Sequence, residues 1–272
     1  MAYIHLEHKI NINTWPVKGA FQPDAISSFE IIGNTYYISA NEGDGRDYSG
    51  FSSEVRIKDL TLDSLSFPNR VELQNDTNLG RLKTFTANVI GDTDNDGDVD
   101  ELYSYGARLF SIWDSNGDLV WDSGDEIEQF IALNHPAFFN CNDGKSSKSD
   151  SRSDDKGPEP EAITTAKIGN RTYAFIGLER QGGILIDDIT NPTNPTFDQY
   201  LHTLDTATGL MIDIAPGLLF VPSTKSHTST NLLISSNEVS GTVAIYEIID
   251  NLVSKKKLQK ISLIFTQILQ QE

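Results

Sequence analysis

The 272-residue sequence holds a single cysteine, Cys141, so no internal disulfide framework can brace it, and stability in an oxidising compartment has to come from packing or bound metal. Cationic residues are also scarce. Twenty-one lysines and arginines against 39 aspartates and glutamates give a net charge of −18 and a pI near 4.5. Such acidity argues against nucleic acid or an anionic membrane as partner and favours cations or cationic surfaces. The first ten residues contain no apolar h-region and read as neither signal peptide nor membrane span. On that reading the protein is cytoplasmic or its original N-terminus is missing. No Ser or Thr stands in a recognisable activating context, and the five histidines are scattered. His135, beside Asn134, is the one near charged loops, and it reads as structural or merely exposed. What is present, 38% hydrophobic and 9% aromatic residues, suffices for one large domain or two small ones.

The sharpest feature is Asp92-Thr93-Asp94-Asn95-Asp96-Gly97-Asp98-Val99-Asp100, a D-x-D-x-D-G-x-x-D pattern. Carboxylates crowded like this repel one another unless a cation sits among them. Alternation sets Asp92, Asp94 and Asp96 on one side of a tight loop, and Gly97 supplies a turn that a Cβ would obstruct. Calcium takes six to eight oxygens at roughly 2.3–2.6 Å, which Asp92, Asp94, Asp96, Asp100 and the backbone carbonyl of Asp98 could provide. Magnesium, with its stricter octahedron, fits less well. An EF-hand is excluded, because loop position 12 is Tyr103 where a bidentate Glu is needed, and no long amphipathic helix flanks the loop. The bland alternative is a solvated acidic turn.

Around this loop one phrase recurs. Pro23-Asp24-Ala25-Ile26 leads through Ser28 to Ile32, a Gly33-Asn34 turn and Tyr36 to Ala40, into Asn41-Glu42-Gly43-Asp44-Gly45. Pro160-Glu161-Ala162-Ile163 leads through a Gly169-Asn170 turn to Leu178-Glu179-Arg180 and a strand over 183–189. The third copy runs from Pro216 through 231–236 to Asn237-Glu238 and a strand over 241–248. A fourth unit pairs 107–113 with 119–122 across an Asn116-Gly117 turn. Repeated groups of about four short strands are the signature of propeller blades. The expectation is an all-β protein, a partial β-propeller of about four to five blades over residues 1–248. Its long inter-blade stretches are 59–91 and the polar loop 140–160. Residues 249–272 follow as a basic amphipathic tail, with Leu258, Ile261, Ile264, Phe265, Ile268 and Leu269 at helical spacing behind three lysines.

In a propeller, corresponding positions of successive blades point to one end of the central channel. Asp24, Glu42, Glu161, Glu179 and Glu238 hold such positions. Together with Asp44, Arg46, Arg152, Asp154, Asp155, Lys156 and Arg180 they outline a polar funnel for a cation or an anionic, phosphate-containing ligand. Alternatively, Glu42, Glu179 and Glu238 cap loop N–H groups.

The motifs 41–48, Leu79-Gly80-Arg81-Leu82, 91–101, 151–161, 175–180 and 237–242 resemble the choice-of-anchor I domain family over roughly residues 23–248. That family includes mesenchyme-specific cell surface glycoproteins of biomineralising animals and secreted bacterial proteins, some labelled alkaline phosphatase-like. The resemblance implies a secreted or surface-tethered β-propeller, with calcium and an extracellular matrix or surface partner, and brings no catalytic assignment. Members extend further on the N-terminal side, so an open ring is expected here. Ala215-Pro216-Gly217 lacks the acidic residue of the family pattern, and the lysine-rich tail matches none of its usual anchors. The sequence reading is therefore a calcium-binding protein of adhesion, matrix or biomineralisation type. The alternatives are a metal-dependent phosphatase or phosphodiesterase acting in the funnel, and a truncated gene product without independent activity.

Overall fold

The computed structural model describes residues 10–205, 210–211, 217–250 and 263–268. Three four-stranded antiparallel sheets dominate. The first contains Ala25–Ile31, Asn34–Asn41, Leu109–Asp114 and Leu119–Asp122; the central one Pro160–Ile168, Arg171–Leu178, Ile184–Asp188 and Thr196–Leu201; the third Gly217–Val221, Asn231–Asn237, Thr242–Asp250 and Leu263–Ile268. Each sheet is a meander in chain order, and none closes on itself. Period-two alternation explains the strands. In 34–41, Tyr36, Ile38 and Ala40 face the core while Tyr37 and Ser39 face the other way.

Two expectations are corrected here. The unit at 107–122 builds no sheet of its own, because its strand Leu109–Asp114 pairs with Asn34–Asn41 and completes the first sheet. The free edge of 34–41 offers a row of unpaired N–H and C=O groups, which a strand 70 residues further on satisfies. The expected C-terminal helix is replaced over Leu263–Ile268 by a strand on the edge of Thr242–Asp250. A sheet edge supplies hydrogen bonds that helical spacing could not foresee, and the branched residues of that segment suit a strand. Residues 251–262 and 269–272 of that tail lie outside the described residues. A smaller shift concerns the first hairpin, whose two-residue turn is Ile32-Gly33, with φ of 50° and 78°, flanked by the Ile31–Asn34 pair. Both residues take the positive φ that a type I′ turn requires, so the turn falls one residue earlier than Gly33-Asn34.

Apolar layers join the sheets face to face. Phe29, Ile38, Phe110 and Ile112 of the first sheet meet Ile163, Ala174, Ile176 and Leu185 of the central one, with Ile127 and Ile131 of the helix Glu126–Asn134 sealing the side. On its opposite face the central sheet packs Tyr173, Phe175, Ile184 and Ile186 against Leu233, Ala244, Tyr246 and Ile248 of the third. The long connection between the second and third strands of the first sheet has a core of its own, with Ile57, Leu62, Phe67, Leu73, Leu79, Leu82, Val99 and Leu102 buried together. Burial of each such side chain contributes roughly 1.5–3 kcal/mol, which holds this irregular segment in one shape. Two short pairings frame it: Val17–Ala20 runs parallel to Leu102–Tyr105, and Glu54–Arg56 runs antiparallel to Lys83–Phe85.

Candidate functional site

The acidic loop lies in that connection, curled by Asn95 and Gly97 at φ of 63° and 100°. Carboxylate oxygens of Asp92, Asp94 and Asp96 come within 4.8 Å of one another. Local hydrogen bonds set the curl: Asn95 and Gly97 donate their N–H groups to the Asp92 carboxylate at 2.7 and 3.0 Å, and Asp98 N–H donates to Asp96 at 3.0 Å. Two more side chains of the expected set, Asp98 and Asp100, take part in a neighbouring group. Asp98 and Asp100 join Asp63, the oxygens of these three again lying within 4.8 Å. A parallel bridge between Leu62 and Val99, with Asp63 N–H donating to the Val99 carbonyl at 3.0 Å, brings Asp63 there. No local signal in Leu62-Asp63-Ser64-Leu65 announces it, since the contact depends on the apolar cluster that closes the loop. Asp94 and Asp98 are held above the usual carboxylate range by desolvation and then by the charge of Asp96. A donor set made of carboxylate oxygens fits a hard divalent ion.

The second acidic group gathers where the sheets end. Glu42 and Glu179 directly follow the second strands of their sheets, while Asp24 precedes and Glu161 enters the first strands. Their oxygens form two overlapping triads, Asp24, Glu42 and Glu161 near the surface, and Glu42, Glu159 and Glu179 beneath, each within 4.8 Å. Glu238 follows the second strand of the third sheet, and its charge acts on Glu161. Glu159, fully buried with φ of 55°, was not among the expected site residues.

The loop 140–160 supplies two neutralising cations, Lys156 and Arg152, and Arg180, just past the strand Arg171–Leu178, a third. Lys156 Nζ bonds the Glu42 carboxylate and lies 3.1 Å from Glu159 and 3.7 Å from Asp44. Arg152 donates to Glu159 at 2.6 Å and pairs with Asp155 at 3.0 Å. Arg180 pairs with Glu179 at 2.6 Å and with Asp143 at 3.4 Å. Asp154 belongs to a different belt, accepting from Arg56 and Arg81 at 2.9 and 2.7 Å. Arg46 lines a small cavity of about 210 Å³ with Asp44, Phe51 and Phe85. Glu42 and Glu179 thus meet cationic side chains, in place of the loop N–H groups considered as the alternative.

Burial pushes Glu161 up to about 7, with Glu42, Asp24 and Glu238 adding to it. Burial and then the charge of Glu159 push Glu179 up to about 8, outweighing Arg180. Lys156 stays above the ordinary lysine range although burial opposes it, because Glu159 and Glu42 face it. Carboxyls raised in this way bind more protons in the folded than in the unfolded chain between their unfolded values, about 4.3 for Glu, and their folded ones. Stability should therefore fall as pH rises from about 5 to 8. Thermal unfolding in chelator should show that decline, and Glu179→Gln should flatten it; an unchanged slope would refute the assignment. Cys141, by contrast, is buried with its thiol pushed to about 12 by desolvation, and contributes no reactive thiolate.

Fold and site together define an all-β protein of stacked antiparallel sheets, carrying one acidic loop and one ion-paired carboxylate cluster. The chain belongs to the choice-of-anchor I domain family, whose model matches residues 6–192. Gigasin-3a of Magallana gigas is 33% identical over 193 residues, 65% of this chain and 66% of that protein. The mesenchyme-specific cell surface glycoprotein of Strongylocentrotus purpuratus is 25% identical over 272 residues, 88% of this chain and 32% of that protein. The chain accordingly spans just under two thirds of the first relative and about a third of the second. No solved structure matches.

Proposed function

We propose that this chain is a calcium-binding module of an extracellular or cell-surface protein, built as part of a β-propeller and serving adhesion or matrix binding. The observation that carries the reading is the meeting of Asp92, Asp94 and Asp96 in one short loop. Three four-stranded meanders stacked face to face support the propeller geometry. The name of the Strongylocentrotus purpuratus relative supports the surface location. Among the described residues no helix is long and apolar enough to cross a membrane, so attachment by such a helix forms no part of the proposal.

The loop is pinned to Leu62 and Asp63 of the same long connection, so an ion there would act first as a brace within that segment. Calcium titration by calorimetry should show uptake by the intact chain. Removing both Asp94 and Asp96 as alanines should weaken it on the order of tenfold or more. Undiminished uptake by that variant would exclude the loop as the site. Lys156, Arg152 and Arg180 are each paired with a carboxylate, so the alternative of a phosphate-ester hydrolase in the funnel would rest on Arg46 as the cation offered to a phosphoryl group.

A further inference from the structure

Cations are scarce in this chain, and most of those in the sheets and their connections lie against its own carboxylates: Arg56 and Arg81 share Asp154, and Arg171 takes Asp188. Arg46 is not engaged in this way. Among the described residues its guanidinium makes no ion pair and no hydrogen bond, although Asp44 and Asp47 lie close to it in the chain. Its main chain, by contrast, is tied down. Arg46 N–H donates to Ser53 Oγ at 2.9 Å, and its carbonyl accepts from Ser53 N–H at 2.7 Å, which closes the short hairpin of Asp47–Tyr48 and Phe51–Ser52. Ser53 is 3% exposed and is fixed in turn by the Tyr105 hydroxyl, which donates to its carbonyl at 2.7 Å. A cation held at its backbone and left without a partner at its head is placed for an anion from outside.

The cavity of about 210 Å³ that Arg46 lines combines three kinds of wall. Arg46 brings a positive charge and Asp44 a negative one, while Phe51, Phe85 and Val89 are apolar. Phe85 is packed against the ring of Tyr105, their centroids 4.2 Å apart. Gln22 Nε2 donates to the Asp44 carbonyl at 2.9 Å, and the Asp44 side chain is 84% exposed. Sites for drug-sized ligands run to roughly 300–1,000 Å³, so the occupant of this one is smaller. A guanidinium takes a carboxylate or a phosphate through paired N–H bonds. Asp44 decides between them, because a like charge beside the cavity opposes a phosphate dianion and attracts an ammonium group.

We propose that this cavity binds a free α-amino acid with an apolar side chain, its carboxylate on Arg46, its ammonium group toward Asp44 and its side chain among Phe51, Phe85 and Val89. The two charges of the ligand then meet opposite charges of the protein, and its body meets the apolar wall. Arg46 carries most of the affinity, since Asp44 stands in water, where an ion pair is screened. The binding is independent of the acidic loop, so it is measured in chelator.

Leucine is the test ligand. Titration of the full chain, read by calorimetry and by saturation-transfer NMR, should show saturable binding at one site. Arg46→Gln should weaken it about tenfold or more, the usual loss of hydrogen bonds to a charged group. The melting temperature should stay unchanged in that variant, since the guanidinium makes no hydrogen bond or ion pair among the described residues. Asp44→Asn should weaken binding about two- to fivefold, the scale of an exposed ion pair. Two analogues separate the charges: 3-methylbutylamine, which lacks the carboxylate, should bind about tenfold or more weakly than leucine, and 4-methylpentanoate, which lacks the ammonium group, about two- to fivefold more weakly. Absence of saturable leucine binding overturns the proposal, as does binding that Arg46→Gln leaves intact. Inorganic phosphate binding more tightly than leucine would make the cavity an oxyanion site and overturns it too. So does 4-methylpentanoate binding as tightly as leucine, because the zwitterion would then have no advantage.

Discussion

Arg108→Met is expected to lower the stability of this protein by about 3–5 kcal/mol, the loss that follows when one partner of a buried ion pair is removed. Arg108 and Glu128 are each 1% exposed and meet at 3.0 Å. The same guanidinium donates to the carbonyls of Ser153 and Asp155 at 2.6 and 2.8 Å, and Glu128 also accepts from Asn140 at 2.8 Å. Methionine would leave Glu128 charged in the interior and two carbonyls short of a donor. The consequence extends to the acidic cluster, because the segment held by Arg108 carries Lys156 and Glu159. Gly157 shows how closely it is held: at φ of 73°, a Cβ there would lie 2.9 Å from the Arg108 guanidinium. Urea unfolding measures the loss, and thermal unfolding should show a drop of roughly 10 °C for a chain of this size. Replacing both partners by methionine should recover much of it, since no lone buried charge remains. A loss below about 1 kcal/mol for Arg108→Met would mean that the pair does not organise the loop.

The opposite sign is expected at Asp187. This residue lies in the strand Ile184–Asp188, paired with Ala174 on one side and Phe197 on the other, and is 1% exposed. Alternation places it on the face of Leu185, in the layer shared by the first and central sheets. Neither carboxyl oxygen has a hydrogen-bond partner among the described residues. Desolvation, followed by the charges of Glu126, Asp198 and Asp188, raises its pKa well above the ordinary aspartate range. Leucine keeps the branched outline without polar atoms, its two methyl groups being somewhat larger than the oxygens they replace. Asp187→Leu should therefore stabilise the fold by roughly 1–3 kcal/mol, the usual penalty for an unsatisfied buried polar group. The sign of the pH dependence follows from linkage. A carboxyl raised in the folded state keeps its proton there while the unfolded chain releases it above about pH 4, so the wild type loses stability as pH rises through that window. The advantage of the leucine variant should grow from pH 4 upward. A lower melting temperature for Asp187→Leu across that range would show that the carboxyl is held by an interaction worth more than its burial penalty.

Much of the architecture was legible in the residues. Alternation in Ala25–Ile31, Asn34–Asn41, Pro160–Ile168 and Arg171–Leu178 marks strands because the pleat turns successive side chains to opposite faces, a local property. Turn residues marked the hairpins to within one position. Which strand pairs with which was not legible where the partners lie far apart: the hairpin at 109–122 joins the first sheet across the whole excursion, and 263–268 takes an edge that its helical spacing did not suggest. Asp92, Asp94 and Asp96 could be grouped because two-residue spacing in a tight loop brings them together without help. Asp63 could not, since it reaches Asp98 and Asp100 through the Leu62–Val99 bridge. Arg108 and Glu128 escaped for the same reason, each being an ordinary charged residue until the loop 152–157 closes over them.

By itself, then, the sequence determined an all-β chain with an acidic loop, and a set of carboxylates at repeated positions beside strand ends. Only the tertiary structure decided which of those carboxylates are neutralised and which remain available to a cation. Electrostatic energy depends on separations of a few ångströms and on exclusion of water, and neither quantity exists until Lys156, Arg152 and Arg180 are brought against Glu42, Glu159 and Glu179.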